Sequence, residues 1–198
     1  LTGIDASSLK SGGAVKVQAN SHGAVVTGIL TATSPGAGIG KVLQIKHAIK
    51  TDIQNFGSIS QGGETSIPFV ASITPTSATS KLLVQMMITM DNSTTHGTYA
   101  TAKKTTGGVT TEPAVGNAAG SRHRITTGTN DNSSGSLRNI YIMFVDTAGT
   151  TNQIDYGFTL SHNDNSTVHI YLNYSNSDAD ASYTGRGVSS ITVTEFTE

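Results

Sequence analysis

Residues 36–41, GAGIGK, place glycines close together, as in loops whose backbone amides bind a phosphate at the start of a helix. Pro35 stands where the first glycine of such a loop belongs, and Val42 replaces the serine or threonine that it requires. A strand pattern follows, where a phosphate loop would lead into a helix. We therefore interpret this segment as a flexible Pro/Gly linker.

Residues 176–181, NSDADA, place oxygen-bearing side chains at alternate positions, the spacing by which a loop can surround calcium. Ala181 stands where an EF-hand loop needs glycine, and Gly187 stands where it needs a bidentate glutamate. We interpret the segment as a solvated turn. The sequence also has 6 histidines, none of which forms a close ligand pair with another. We therefore predict neither a metal site nor a cofactor.

Catalysis has weak support in the sequence. A nucleophile elbow of the form GxSxG is absent, and the 13 acidic residues are scattered along the chain. A glycosidase would need two carboxyl groups roughly 5 to 9.5 Å apart, which Asp155 with Asp164, or Asp178 with Asp180, would supply only if the fold brought them together. We expect a protein that is not an enzyme and keep a tailspike-like glycosidase as an alternative.

Composition excludes several classes of protein. The chain has 198 residues, a formal net charge of -1 and no cysteine. We predict neither nucleic-acid binding nor membrane insertion, because there is no basic field and no apolar run of about 18 residues. Disulfides and thiol chemistry are excluded. The sequence shows no signal-peptide pattern. Because it starts at Leu1 and not at Met, we expect a fragment, a processed product or a part of something longer.

Alternation with a period of two dominates the sequence and predicts an all-β domain. The clearest strand begins at Leu82 and places Val84, Met86, Ile88 and Met90 on one face. The segment from Lys41 places Leu43, Ile45, His47 and Ile49 on one face, while the segment from Leu137 is apolar on both faces, which predicts a strand covered on both sides. Further strands are predicted from Thr65, Ser121, Gln153, Thr167 and Ile191. About eight strands separated by Gly, Asn, Asp and Ser indicate an antiparallel β-sandwich or jelly roll.

Two regions differ from that domain. Residues 1–38 are rich in Gly, Ala and Val, end in the Pro/Gly cluster, and are predicted to form a stalk or linker; residues 39–198 form the sandwich. Residues 92–120 are polar and Gly-rich and are predicted to be a long displayed loop. Candidate contacts with a host surface glycan or protein are, in this loop, Tyr99, Lys103 and Lys104, and beyond it Asn130, Asp131 and Asn132.

Three segments together resemble a domain that recurs in tail-fibre and other virion structural proteins of phages, especially marine ones. They are GKVLQIKHAIKTD from Gly40, ETSIPFVASITPTSATSKLLVQMMI from Glu64, and SDADASYTGRGVSSITVTEF from Ser177. The resemblance covers most of residues 40–198 and least the middle loops. It implies a β-sandwich, a homotrimer, other virion proteins as partners and a place at the virion exterior, and it carries over no catalytic residue.

Three functions remain open on the sequence. The first is a trimeric fibre or appendage domain that displays loops for host attachment, in which Val15, Val17, Val25 and Ile29 would pack around a three-fold axis. The second is a capsid decoration or spacer domain, whose loops cover neighbouring subunits. The third is the glycosidase.

Overall fold

The computed structural model describes residues 8–11, 14–20, 23–26, 41–129, 136–182 and 184–197. These residues contain strands and no helix. The strands are β1 (Ser8–Ser11), β2 (Ala14–Asn20), β3 (Gly23–Val26), β4 (Val42–Lys50), β5 (Gln54–Ile59), β6 (Thr65–Ser66), β7 (Ala71–Ile73), β8 (Lys81–Asn92), β9 (Thr98–Thr106), β10 (Val109–Thr111), β11 (Thr127–Thr129), β12 (Arg138–Thr147), β13 (Ile154–His162), β14 (Val168–Leu172) and β15 (Ser189–Phe196). The chain is all-β.

Backbone contacts divide the chain into two compact units, Leu1–Ile39 and Gly40–Glu198. In the first unit, β1, β2 and β3 form a three-stranded antiparallel sheet in chain order. Val15 and Val17 lie on β2 and Val25 lies on β3, whereas Ile29 falls outside the described residues. The packing of these side chains around an axis stays a prediction.

The second unit is a sandwich of two antiparallel sheets. In the first sheet, β8 is the central strand, and β12 pairs with one of its edges. Its other edge pairs with β15 and, further along, with β14. Beyond these two strands, β4 pairs with β15 and β5 pairs with β14. In the second sheet, β13 lies between β9 on one side and the short strands β6 and β7 on the other, while β10 and β11 pair with β9. The predicted β-sandwich is confirmed.

The core lies between the two sheets and follows the alternation of the sequence. The even-numbered residues from Leu82 to Met90 are at most 2% exposed, as predicted for β8. From the second sheet, Ile154, Tyr156, Phe158 and Leu160 project into the same cluster. Among the described residues this is one contiguous core, and its burial is the main source of stability in a chain without disulfides.

The prediction of a long loop over residues 92–120 is wrong. Thr98–Thr106 form β9, which pairs along its whole length with β13, and a tight turn through Gly107 and Gly108 leads into β10. Small residues made this strand hard to recognise: Ala100 and Ala102 are its core contacts, and both are fully buried. Two predicted strands are also shorter than expected, because the segment from Thr65 divides into β6 and β7 and the segment from Ser121 becomes regular only at Thr127.

The structure exposes one face of β4 and one face of β12 that the sequence pattern predicts to be buried. On β4, the predicted buried face carries Ile45 and Ile49, which are 61% and 56% exposed. On β12, one predicted apolar face is buried in the core, but Met143 on the opposite face is 71% exposed. The second sheet covers the opposite side of these strands, and the described part of the chain leaves their outward apolar side chains exposed.

Candidate functional site

Tyr99 lies on β9, where its partners across the strand pairs are Ser161 and Gly128. Its ring contacts the ring of His123, with centroids 5.7 Å apart. A Cβ at Gly128 would lie 2.6 Å from the Tyr99 ring, so the ring covers a glycine that has no room for a side chain. Tyr99 is therefore a half-buried surface residue held on a strand, and it stays a candidate contact residue.

Lys103 lies on β9 with its ammonium between two carboxylates. Its Nζ is 2.7 Å from Oε2 of Glu64 and 2.6 Å from Oε1 of Glu112. Burial by itself lowers the pKa of Lys103, but the hydrogen bonds to Glu112 and Glu64 outweigh it, so the pKa is raised. The ammonium therefore occupies the space between the two carboxylates.

Lys104, the next residue, points toward the other sheet. Its Nζ lies 2.8 Å from Oδ2 of Asp146 on β12 and donates to the carbonyls of Thr147 and Ala148. The Tyr156 hydroxyl donates to the same Asp146 oxygen at 2.6 Å. Burial, together with the hydrogen bond to Asp146, raises the pKa of Tyr156. Lys104 therefore connects the two sheets within the domain.

We expect Lys104→Met to lower the free energy of unfolding by about 2 kcal/mol, because it leaves two carbonyls and Asp146 without a charged donor. Urea denaturation followed by circular dichroism measures this loss. Lys46→Met is the matched control: Lys46 is exposed, and its loss should change stability by less than about 0.5 kcal/mol. Equal losses in the two variants would contradict the assigned role of Lys104.

Asn130, Asp131 and Asn132, the remaining candidate contacts, lie outside the described residues. The structure therefore places three of the six predicted contact residues, all on β9. Tyr99 and Lys103 are on β9, and Lys104 faces the interior of the sandwich.

The three segments that resemble phage fibre domains meet at a carboxylate that the sequence pattern did not single out. Glu195 on β15 is fully buried. Its Oε1 accepts hydrogen bonds from the backbone N–H and the hydroxyl of Thr76, both at 2.7 Å, and its Oε2 accepts one from Nε2 of Gln44 at 2.6 Å. Ser80 also donates to this carboxylate. We call Gln44, Thr76, Ser80 and Glu195 the Glu195 cluster.

One residue of the Glu195 cluster comes from GKVLQ, two come from SITPTSATSK and one comes from SSITVTE. The signal for Glu195 was present in the sequence, because the alternation that buries Ile191 and Val193 places Glu195 on the same face. A carboxylate at a core position needs donors, and hydroxyl and amide side chains in the turn before β8 and on β4 supply them. The cluster therefore attaches that turn and the edge strand β4 to β15.

The fold does not bring together Asp155 and Asp164, the first of the two pairs considered for catalysis. Asp155 and Asp164 stand at opposite ends of β13, more than about 20 Å apart along an extended strand, which exceeds any glycosidase spacing. Asp164 accepts from the Thr94 hydroxyl and from the Ser166 backbone and hydroxyl, which lower the pKa of Asp164. A catalytic acid needs the opposite shift.

Asp164 also lies 2.9 Å from Nδ1 of His96. The same His96 nitrogen is 2.9 Å from the Thr94 hydroxyl, and the imidazole is about half exposed. A nucleophile would have to reach the second ring nitrogen, and no described residue bonds to it. The arrangement fixes the turn between β13 and β14 without forming a catalytic triad.

The turn at residues 176–181 is closed by an arginine. Arg186 donates to both oxygens of Asp178, at 3.0 Å from Nε and 2.8 Å from Nη2. These hydrogen bonds lower the pKa of Asp178. The guanidinium takes the positions where a calcium ion would bind this carboxylate, so Asp178 and Asp180 do not form a ready cation site. Among the residues that the structure describes, no group of three or more His, Asp or Glu side chains has a metal-binding arrangement.

Among the described residues, most of the exposed large apolar side chains lie on the outward side of the first sheet. Strand register aligns three rows across β4, β15, β8 and β12, which we call the outer apolar face. The rows are Ile45, Thr194, Leu83 and Val145; then His47, Thr192, Gln85 and Met143; then Ile49, Ser190, Met87 and Tyr141. Within the described ranges, no helix is long and apolar enough to cross a membrane.

The fold and these surfaces define a sandwich domain whose polar clusters fix its own strands and turns. A scan against protein-family models found no match, and a search of curated proteins found no significant match. Among solved structures, the chain is similar to one in the structure of infectious bursal disease virus Gx strain, with a TM-score of 0.36 and 14% sequence identity. The similarity covers 86% of this chain and 44% of the viral chain, so this chain spans less than half the length of the viral chain. At this TM-score the similarity carries no argument about function.

Proposed function

We propose that this chain is a non-catalytic structural module of a bacteriophage particle, a homotrimeric fibre or appendage domain at the virion exterior. The Glu195 cluster is the observation that carries the proposal. The segments that resemble phage fibre domains are bonded to one another there, in the interior of the sandwich. These segments therefore hold the sandwich together, and such a scaffold suits a domain whose surface residues can vary.

Host attachment is the activity that we propose for the variable surface of this scaffold. Tyr99 and Lys103 lie outside the core on β9, at positions where they can contact a glycan or protein. Phenol rings stack on sugar faces, and ammonium groups bind sugar hydroxyls or acidic groups.

A capsid decoration or spacer domain is the second candidate. It is favoured by the finding that residues 98–111 are paired into the second sheet, which leaves less of this region free for display than a long loop would. In that function the surface of β9 and β10 would cover a neighbouring subunit.

Immunogold labelling of the phage particles that encode this chain tests the proposal, with an antibody raised against residues 41–197. Label at the tips or shafts of fibres supports a fibre domain, and label spread over the capsid supports the decoration domain. Particles that carry no label, while infected cells contain the protein, would overturn a virion role. Release of reducing sugars from host polysaccharide by the purified chain would contradict the non-catalytic assignment.

A further inference from the structure

The outer apolar face has the pattern of a buried surface, although it is exposed. The alternation on β4 predicts that Ile45 and Ile49 are buried, and the apolar residues on both sides of β12 predict that this strand is covered twice. Both predictions fail on the same side of the same sheet. Tyr141 and Met143 are 65% and 71% exposed, and Ile45 is 61% exposed.

The outer apolar face carries no Lys, Arg, Asp or Glu in its three rows, and its titratable side chains are His47 and the phenol of Tyr141. A charged sheet face would repel a copy of itself, whereas a neutral face does not. Exposed sheet faces are usually polar, because an antiparallel sheet with one solvated side alternates apolar and polar residues. This face therefore suits a partner that is also neutral and apolar.

Shape points to the same partner. Large side chains project from the two outer strands, with Ile45 and Ile49 on β4 and Tyr141 and Met143 on β12. Between them lies a depression over β8, which Gln85 and Met87 line together with the short side chains of Ser190 and Thr192 on β15 and with Tyr141 and Met143 on β12. The face therefore has both projecting side chains and a depression, the two features that a self-complementary surface needs.

The size of the face is adequate for the centre of an interface. Strands about 4.8 Å apart and rows about 6.7 Å apart give the four strands a patch on the order of 500 Å² once side-chain radii are included. A standard interface buries about 800 Å² on each partner, and its rim is polar. The patch supplies an apolar centre, and neighbouring residues of β4 and β12 supply the rim.

We infer that the outer apolar face binds another copy of this chain. A face that pairs with a copy of itself makes a two-fold contact, so the inference goes beyond the three-fold assembly proposed above and does not depend on it. The partner is thus a second copy of the sheet, which covers Ile45, Tyr141 and Met143 from solvent.

Charge substitution in the full chain tests this inference. Met143→Lys places an ammonium in the face, and the control Val109→Lys places one on β10, where Val109 is 66% exposed on the other sheet. Sedimentation equilibrium gives the mass and dissociation constant of each protein, and circular dichroism checks that each one is folded. We expect the wild type and Val109→Lys to associate alike, and Met143→Lys to associate at least tenfold more weakly while it stays folded.

The outcomes separate this inference from the proposed trimer. A wild-type dimer that Met143→Lys dissociates supports the face as an interface and contradicts the trimer. A trimer that Met143→Lys leaves unchanged supports the trimer and overturns the inference. A wild-type protein that stays monomeric overturns both. If Met143→Lys does not fold, Tyr141→Ser is measured in its place, with the same expectation.

Discussion

Replacing Glu195 by glutamine is expected to lower the free energy of unfolding by about 2–3 kcal/mol at neutral pH. The carboxylate accepts from the Thr76 backbone and hydroxyl and from the Gln44 amide, and it is fully buried. A glutamine side chain keeps the size but turns an NH₂ group toward one of these donors. A buried donor then loses its acceptor, and the lost charge also weakens the hydrogen bonds that remain.

The pH dependence of this loss has a defined direction. Burial by itself raises the pKa of Glu195, but the hydrogen bonds from Gln44, Ser80 and Thr76 outweigh it and lower the pKa to about 2, from an ordinary value of 4.5. Because the folded pKa is lowered, the stabilisation is complete above pH 4.5 and is lost as the pH falls toward 2. The difference in stability between wild type and Glu195→Gln should therefore shrink across this range.

Urea denaturation at intervals between pH 7 and pH 2 measures both effects. Glu112→Gln is the matched control, because Glu112 pairs with Lys103 but its side chain is 38% exposed. Its loss should stay below about 1 kcal/mol, as expected for an ion pair near the surface. A Glu195→Gln protein no less stable than the control, or one whose deficit grows as the pH falls, would contradict the role of the cluster.

The fold was predictable wherever the apolar alternation was strong. The strands that include Leu82 and Ile191 have large apolar residues at every second position, and their core faces are those predicted. β9 was not predictable on this basis, because its buried positions carry the small or polar residues Thr98, Ala100, Thr101 and Ala102, and its other positions are Thr, Lys and Tyr. Such a strand forms because β13 offers a long edge and large residues opposite those alanines.

The faces of β4 and β12 show a different limit. Alternation reports that a side chain is suited to burial, but it cannot say whether the covering group comes from the same chain. Ile45 and Met143 are apolar in sequence and exposed in this single chain. The sequence says even less about the contact residues, because Lys103 and Lys104 are neighbours of the same type. Successive side chains of a strand point to opposite faces, so Lys104 points inward to Asp146 and Lys103 points outward to Glu112.

Asn173 is the other residue whose replacement is expected to have a large effect. It is fully buried and has a φ of 66°, the single positive value among the described residues other than glycine. Its side-chain amide donates to the carbonyls of Lys50 and Asp52 at 2.9 and 3.0 Å, and its Oδ1 accepts from the Ser189 hydroxyl at 2.7 Å. One side chain therefore joins the end of β4, the start of β15 and the residue after β14.

Asn173→Ala is expected to lower the free energy of unfolding by about 3 kcal/mol. Roughly 1 kcal/mol comes from losing the local polar contacts by which an asparagine side chain supports the left-handed conformation, and the rest comes from unpaired buried groups. Asn173→Gly removes the side-chain hydrogen bonds but tolerates the positive φ, so it should be less destabilised than the alanine variant. Asn176→Ala, an exposed control in the same turn, should stay within about 0.5 kcal/mol of wild type, because Asn176 contacts Asp91 through its backbone N–H. If the alanine and glycine variants are equally destabilised, the backbone conformation at position 173 contributes nothing to stability. If both are as stable as wild type, the connection between β4, β14 and β15 does not depend on this side-chain amide.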